Sequence, residues 1–213
     1  LMLVGADTGR DGLHGASGLA SRTFEEDREL RPTVQVGNPF LEKLLIEACL
    51  ELAETDWIVG MQDLGAAGLT SASVESVARS GLGLDIDVSK VPRRAEGMTP
   101  YEVMLSESQE RMLVIVRRGC EGKVKALFDR YELRSDIIGE VIAEPVARVR
   151  DGEEVVAEVP VAHLVSPPQY RLQGRKPQWL EELERFDPAT LPDLDPAEAG
   201  QALLKLLSSP NIA

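Results

Sequence analysis

Strand-like and helix-like segments alternate along the chain up to residue 160, and this order constrains the fold more than any other feature. Runs of apolar or alternating residues, which are typical of strands, lie at 1–6, 31–36, 57–61, 82–88, 111–117, 137–143, 146–150 and 155–159. Helix-like segments, in which apolar residues recur at three and four positions, lie at 39–52, 66–78, 100–105 and 121–131. The order predicts an α/β (α+β) layered domain, in which a mixed β-sheet has helices packed on one side.

Local residues predict where several elements begin and turn. Asn38, just before a proline, predicts the N-terminus of the first helix, and Thr99 predicts the N-cap of the third. Asp151 and Gly152 form a strong two-residue hairpin signal. The strand at 82–88 is expected to be half-buried, because polar and apolar residues alternate along it.

The composition changes after Val165, where a proline-rich segment unsuited to helix or strand begins. We therefore place one domain at 1–165, and a linker with the start of a further domain at 166–213. The second part, with short helices expected at 179–186 and 196–207, is too small for an independent core. Because the chain opens directly on an apolar strand, we expect it to be a piece of a longer protein.

Charge and hydropathy exclude several classes of protein. The chain has 36 acidic and 23 basic residues and a formal net charge of −13 at pH 7, so we expect no nucleic-acid partner, which would need clustered cations. No apolar run approaches the ~20 residues that span a bilayer, so we expect no membrane segment and a cytoplasmic location. Cys49 and Cys120 lie in helical patterns without a CxxC partner, and are expected to be small buried hydrophobic residues.

Three polar segments could carry chemistry, although each also has an ordinary structural explanation. The glycine-rich run 9–17 offers backbone amides, Arg10 and His14 to a phosphate, or is a flexible loop. Asp63 ends a strand, where its carboxylate could bind Mg²⁺, or it caps the next helix. The run 106–110 could bind hydroxyls and amides of a substrate, or is a solvated turn. On local grounds the cap and the turn are favoured.

Taken together and in order, four segments carry a resemblance to a known enzyme family. They are VQVGNPF at 34–40, QDLGAAGLTS at 62–71, EGMTPYE at 96–102 and LSESQERM at 105–112. The set resembles the phosphoribosylformylglycinamidine synthase (formylglycinamide ribonucleotide amidotransferase) family, over about residues 5–165. Asn38 departs from the aspartate expected in many relatives, but keeps the capping role.

The resemblance implies a fold of two repeats, each with domains similar to the N-terminal and C-terminal domains of aminoimidazole ribonucleotide synthetase. The chain then corresponds to the C-terminal domain of the first repeat, followed by the linker and the first residues of the second. The implied enzyme is an ATP-dependent ligase. It joins ammonia derived from glutamine to formylglycinamide ribonucleotide, and yields formylglycinamidine ribonucleotide, ADP and phosphate. Mg²⁺ and ATP are the implied cofactor and co-substrate, and the implied partners are the remaining domains, a glutaminase subunit and a small bridging subunit.

The resemblance also implies roles for individual residues. It assigns substrate binding to Gln35, Glu107, Ser108 and Gln109, and Mg²⁺ binding to Asp63. The family's general base, its other metal-binding acids and most of its ATP contacts have no match in this chain. No catalytic residue is therefore assigned, and the chain alone is expected to be inactive.

Two alternatives remain open at this point. A sibling enzyme such as aminoimidazole ribonucleotide synthetase, selenophosphate synthetase or thiamine-monophosphate kinase would share the fold, but should lack the combined QDLGAAGL and SESQERM segments. Alternatively, the isolated chain is a non-catalytic interaction module that binds neighbouring domains or subunits. The fragment interpretation predicts the same behaviour for the chain alone, because half of the site would be absent.

Overall fold

The computed structural model of the protein describes residues 1–13, 35–167, 169 and 171–212. Most of the expected strand at 31–36 and part of the glycine-rich run, including His14, lie outside these residues. The chain divides into two compact units, Leu1–Pro168 and Gln169–Ala213. Within the described ranges, no helix has the length and apolar character needed to cross a membrane.

The first unit confirms the predicted alternation of strands and helices, and with it the α/β class. In chain order, the elements described are β1 (Met2–Gly5), α1 (Pro39–Ala53), β2 (Ile58–Asp63), α2 (Gly68–Ala78), β3 (Gly83–Asp87), α3 (Pro100–Leu105), β4 (Arg111–Val116), α4 (Glu121–Arg130), β5 (Ser135–Ile137), β6 (Gly139–Ile142), β7 (Val146–Asp151), β8 (Glu154–Pro160) and α5 (Val161–Val165).

The strands of the described residues form two four-stranded sheets, where the sequence predicted a single mixed one. In the first sheet, ordered β2-β4-β1-β5, all neighbouring strands are antiparallel. The second sheet, ordered β6-β3-β7-β8, is mixed, because β3 pairs in parallel with β7 and antiparallel with β6. The mixed sheet is thus present, but it holds only half of the strands.

The chain passes from one sheet to the other at Ile138, inside the segment 137–143 that was expected to be one strand. The amide of the buried Ile138 donates to the carbonyl of Leu1 at 3.1 Å, beside β1, while its carbonyl accepts from the amide of Asp87 at 2.8 Å, in β3. A Cβ at Gly139 would lie 2.1 Å from a carbonyl oxygen of β3, so the close approach requires glycine.

The first sheet is buried on both faces, because alternate residues of its central strands face two apolar clusters. Leu3 and Leu113 pack with residues of α2, α3 and the second sheet. Met2, Val4 and Val114 pack against the inward faces of α1 and α4. The predicted stripe of α1 is confirmed, with buried residues Leu45, Ala48, Cys49 and Leu52.

Strand β3 is buried along its whole length, which corrects the expectation of a half-buried strand. Its polar side chains face partners on the β7–β8 hairpin instead of solvent. Arg150 Nε donates to Asp85 Oδ1 at 2.6 Å, and the amide of Gly152 donates to Asp87 Oδ1 at 3.0 Å. The alternating pattern therefore marks a face covered by ion pairs and hydrogen bonds.

Both predicted N-caps and the predicted hairpin are confirmed. Asn38 Oδ1 accepts from the amide of Leu41 at 3.2 Å at the start of α1. Thr99 and Glu102 form a capping box at the start of α3. The hairpin joins β7 to β8, with Gly152 in the left-handed region at φ +67°.

The two cysteines are free thiols. Cys49 is buried in α1, and its burial raises the pKa of the thiol to about 11. Cys120 is half-buried and lies at the N-cap of α4, just outside the helix in which it was expected.

The second unit, described by itself, contains two short helices, α6 (Gln178–Glu184) and α7 (Ala199–Leu207). They correspond to the helices expected at 179–186 and 196–207, although the second begins with a 3-10 turn, Pro196–Glu198. Within the described part of this unit, the large apolar side chains of α7 are exposed.

Candidate functional site

The turn at 106–110, between α3 and β4, is the centre of the candidate site. Its first three residues are buried, which excludes the solvated turn favoured on local grounds. Glu110 has φ +55°, a backbone conformation that residues other than glycine rarely adopt. Its carbonyl accepts from the amide of Ala6 at 2.9 Å, so the segment that follows β1 stabilises the turn in this shape.

Glu107 connects three other segments to this turn. It is only 6% exposed; its Oε2 accepts from Gln35 Nε2 at 3.0 Å, and its Oε1 accepts from the amide of Ala67 at 3.1 Å. Its own amide donates to the carbonyl of Asp11 at 2.9 Å. Gly12 has φ +68°, and a Cβ there would lie 2.4 Å from the Glu107 carboxylate. Four segments far apart in sequence therefore meet around one carboxylate.

Ser108 joins the turn to the glycine-rich run from inside the protein. It is fully buried; its Oγ accepts from the amide of Gly9 at 2.9 Å and donates to the carboxylate of Asp11. Ser106 Oγ donates to the carbonyl of Gly9 at 2.6 Å, and Asp11 also pairs with Arg94. In this conformation the Ser108 hydroxyl stabilises the turn by linking it to Gly9 and Asp11.

Gln109 and Asp63 line the same cleft, which has a volume of about 440 Å³. Gln109 is half-buried, and its Nε2 donates to the carbonyl of Glu107 at 3.2 Å. Glu42 and Glu110 add carboxylates to the lining. The apolar wall of the cleft consists of residues from α1, β2 and β4 and their ends: Leu45, Ile46, Cys49, Leu50, Met61, Leu64 and Met112.

Asp63 is the last residue of β2 and is exposed. The N-cap position of α2 is occupied by Ala67, at φ 59° and without a side-chain cap bond, so the explanation of Asp63 as a helix cap is wrong. Asp63 Oδ1 accepts instead from Gln62 Nε2 at 3.1 Å. Asp63 therefore adds a carboxylate to the cleft that Gln109 also lines.

The described residues fit Mg²⁺ only as part of a larger ligand set. Among them, no group of three or more His, Cys, Asp or Glu side chains is arranged to hold a metal ion. Mg²⁺ in enzymes is commonly bound through one or two carboxylates together with water and substrate phosphates. An exposed Asp63 fits the role of one such carboxylate.

The structure also brings in residues that the sequence did not single out, namely Asp11, Arg94 and Arg111. Two sequence signals could have indicated them: Asp11 is a charged residue inside a glycine-rich run, and Arg111 is a charged residue directly after the turn. Arg10, by contrast, was one of the groups that could approach a phosphate if the glycine-rich run were not simply a flexible loop. Its Nε is paired with Glu102 Oε1 at 2.9 Å.

Comparison with known proteins identifies the fold and gives relatives of the chain. The family model described as "AIR synthase related protein, C-terminal domain" matches residues 1–152. Phosphoribosylformylglycinamidine synthase subunit PurL of Moorella thermoacetica is 51% identical over 214 residues, and that of Thermomicrobium roseum is 56% identical over 214 residues. Both matches cover 100% of this chain. The chain spans only 29% of the length of either relative.

Solved structures of Thermotoga maritima PurL give the same result. The complex with FGAR has a TM-score of 0.72 at 41% identity, and covers 83% of this chain and 29% of that one. The complex with ATP has a TM-score of 0.67 at 38% identity, with coverages of 83% and 27%. The PurLQS structure has a TM-score of 0.68 at 38% identity, with the same coverages. The chain therefore belongs to the AIR synthase related family and contains its C-terminal domain.

Proposed function

We propose that this chain is the central part of a phosphoribosylformylglycinamidine synthase. The whole enzyme would be an ATP-dependent ligase of purine biosynthesis that converts formylglycinamide ribonucleotide and glutamine-derived ammonia to formylglycinamidine ribonucleotide. The observation that carries the proposal is that Gln35 and Gln109 both bond to Glu107, while Gln109 and Asp63 line one cleft. The similarity of this chain to part of PurL chains, among them a structure complexed with FGAR (formylglycinamide ribonucleotide), supports it.

In this proposal the polar groups around the turn bind the ribonucleotide. The carboxamides of Gln35 and Gln109 can each donate and accept hydrogen bonds to the substrate. Glu107 orients Gln35 through the 3.0 Å bond and, like Ser108, would contact substrate by exchanging one of its internal bonds. A bound Mg²⁺ would neutralise charge on the transferring phosphoryl group. Asp63 would hold that ion together with ligands from outside this chain.

The organisation of the parent protein follows from the same proposal. Residues 1–165 would form the C-terminal domain of the first repeat, and 166–213 the linker and the start of the second. The remaining domains would supply the general base and the ATP contacts. The partners in this proposal are the glutaminase subunit and the small bridging subunit implied by the family resemblance, and the PurLQS structure of a relative supports a complex of more than one component. The cytoplasmic location expected from the sequence stays a prediction.

The test of this proposal is ADP release by the complete protein with ammonia as nitrogen donor. We expect formylglycinamide ribonucleotide to stimulate ADP release. In Gln109→Ala the KM for the ribonucleotide should rise roughly 5- to 150-fold, the effect of about 1–3 kcal/mol for a lost buried hydrogen-bond partner. Gln201→Ala, in α7 of the second unit, is the control and should leave this KM unchanged.

Two results would contradict the proposal. Stimulation by selenide, thiamine monophosphate or formylglycinamidine ribonucleotide instead of formylglycinamide ribonucleotide would assign the chain to a sibling enzyme. An unchanged KM in Gln109→Ala would remove this residue from the substrate site.

A further inference from the structure

Arg111, the first residue of β4, places a charged side chain inside the protein. It is 3% exposed. Its burial lowers the pKa of the guanidinium to about 10, so the group remains charged near neutral pH. An interior cation is costly unless hydrogen bonds and a counter-charge compensate it. The hydrogen-bond partners of the guanidinium therefore show which part of the structure the buried charge stabilises.

The guanidinium of Arg111 donates hydrogen bonds to the residues directly before and after Glu107 and to the segment before the glycine-rich run. Its Nε donates to the carbonyl of Ser108 at 2.9 Å, and one terminal nitrogen donates to the carbonyl of Ser106 at 2.5 Å. The other terminal nitrogen donates to Thr8 Oγ1 at 3.0 Å. One planar group thus connects the turn to the residue preceding Gly9.

The counter-charge of Arg111 belongs to the same network. The carboxylate of Asp11 is the charge that most favours its protonated form, although burial has the larger and opposite effect. Asp11 also accepts from Ser108 and pairs with Arg94. The buried cation and its counter-charge therefore hold the same two segments together, with Glu107 between them.

We infer that Arg111 is a positioning residue for the ribonucleotide site: its fork of three hydrogen bonds fixes the turn so that Glu107 can orient Gln35, and Gln109 lies in the cleft. The inference rests on the function proposed above. Lysine at this position would keep the charge, but a single ammonium cannot reproduce the planar fork.

The experiment compares Arg111→Lys with Arg93→Lys in the complete protein. Arg93 is the matched control, because its guanidinium also donates to two backbone carbonyls, those of Met98 at 3.1 Å and Val88 at 2.7 Å, neither of which belongs to the turn. We expect Arg111→Lys to raise the KM for formylglycinamide ribonucleotide by roughly tenfold or more, since small misplacements of binding groups have effects of this size. The KM for ATP should change less than twofold in either variant, and Arg93→Lys should leave both values unchanged.

If Arg111→Lys does not fold, Thr8→Val removes one acceptor of the fork at nearly constant volume and should raise the same KM by a smaller factor. An unchanged KM in the folded Arg111→Lys variant, or in Thr8→Val where the former does not fold, would overturn the inference. An equal rise in Arg93→Lys would also overturn it, because the effect would then be general loosening. A wild type without ribonucleotide-stimulated ADP release would refute the proposed function itself, and the inference with it.

Discussion

At the scale of single residues, Asp63 shows how tertiary structure decides between two local explanations. An aspartate at the end of a strand and just before a helix is a reasonable cap, but the cap position belongs to Ala67. The carboxylate lies instead in the cleft that Gln109 also lines. A cap would have made Asp63 a contributor to stability, whereas its observed place makes it a candidate metal ligand.

The first prediction concerns this carboxylate. In the complete protein, Asp63→Asn should raise the Mg²⁺ concentration for half-maximal ADP release by roughly tenfold or more, because even indirect changes around a metal ligand weaken binding by 10- to 100-fold. The exposed Asp56, which precedes β2, gives the control Asp56→Asn, with an expected requirement equal to that of wild type. A Mg²⁺ requirement that stays the same in a folded Asp63→Asn protein would rule out the metal role.

Asp87 carries the second prediction, on stability and pH. Burial opposes its ionisation, but hydrogen bonds from Ser89 and from the amide of Gly152 outweigh this and lower the pKa from 3.8 to about 2. Because the folded-state pKa is the lower one, ionised Asp87 stabilises the fold above about pH 4, and this is lost as the pH falls toward 2. Asp87→Asn should therefore lower the free energy of unfolding at pH 7 by about 2 kcal/mol.

Urea denaturation of the wild type and Asp87→Asn from pH 7 to pH 2 checks this prediction. The difference in the free energy of unfolding should shrink below pH 4. The exposed neighbour Asp151 provides the control Asp151→Asn, for which a change within about 0.5 kcal/mol is expected. A difference that persisted at pH 2 would show that ionisation is not the source of the effect.

At the scale of elements, the short helix α3 delivers the turn to the site. It has only six residues, and Ser106, the first residue of the turn, is its C-cap. Such a short helix depends on its ends and on packing, since isolated helices of this length are not stable in water. The capping box of Thr99 and Glu102 therefore fixes the N-terminal end.

The third prediction follows from this cap. Thr99→Ala should lower the free energy of unfolding by about 1 kcal/mol, whereas Thr99→Ser, which retains the hydroxyl, should cost much less. Chemical denaturation of both variants at pH 7 measures the two values. Equal losses in the two variants would mean that packing of the threonine methyl, and not the cap, is responsible.

Most helices and strands of the first unit were predictable from the sequence, because they depend on local spacing, caps and turns, but the short helix α5 and the strand β5 were not predicted. Strand partners were not, since the alternation at 137–143 reads as one strand and cannot reveal that Ile138 bonds to β1 on one side and to β3 on the other. The same holds for β3, whose polar residues face Arg150 and the β7–β8 turn. Pairing and burial are properties of the folded whole.

At the scale of the whole molecule, the site is assembled from four segments that are widely separated in the chain. The family resemblance pointed to Gln35, Asp63 and the turn, and the structure brings their segments together around Glu107. Residue patterns alone could not identify Asp11 or Arg111, because their importance comes from partners that only the fold supplies. The chain covers 29% of its relatives' length, so the proposed activity belongs to the complete protein.

The most direct test of the central claim is a crystal structure of the complete protein with formylglycinamide ribonucleotide. We predict that the ribonucleotide lies within hydrogen-bonding distance, about 2.7–3.2 Å, of the carboxamides of Gln35 and Gln109. Glu107 would remain buried between them, and Asp63 would face the same cleft. A ribonucleotide bound elsewhere, with neither glutamine in contact, would contradict the claim that this domain supplies the substrate site.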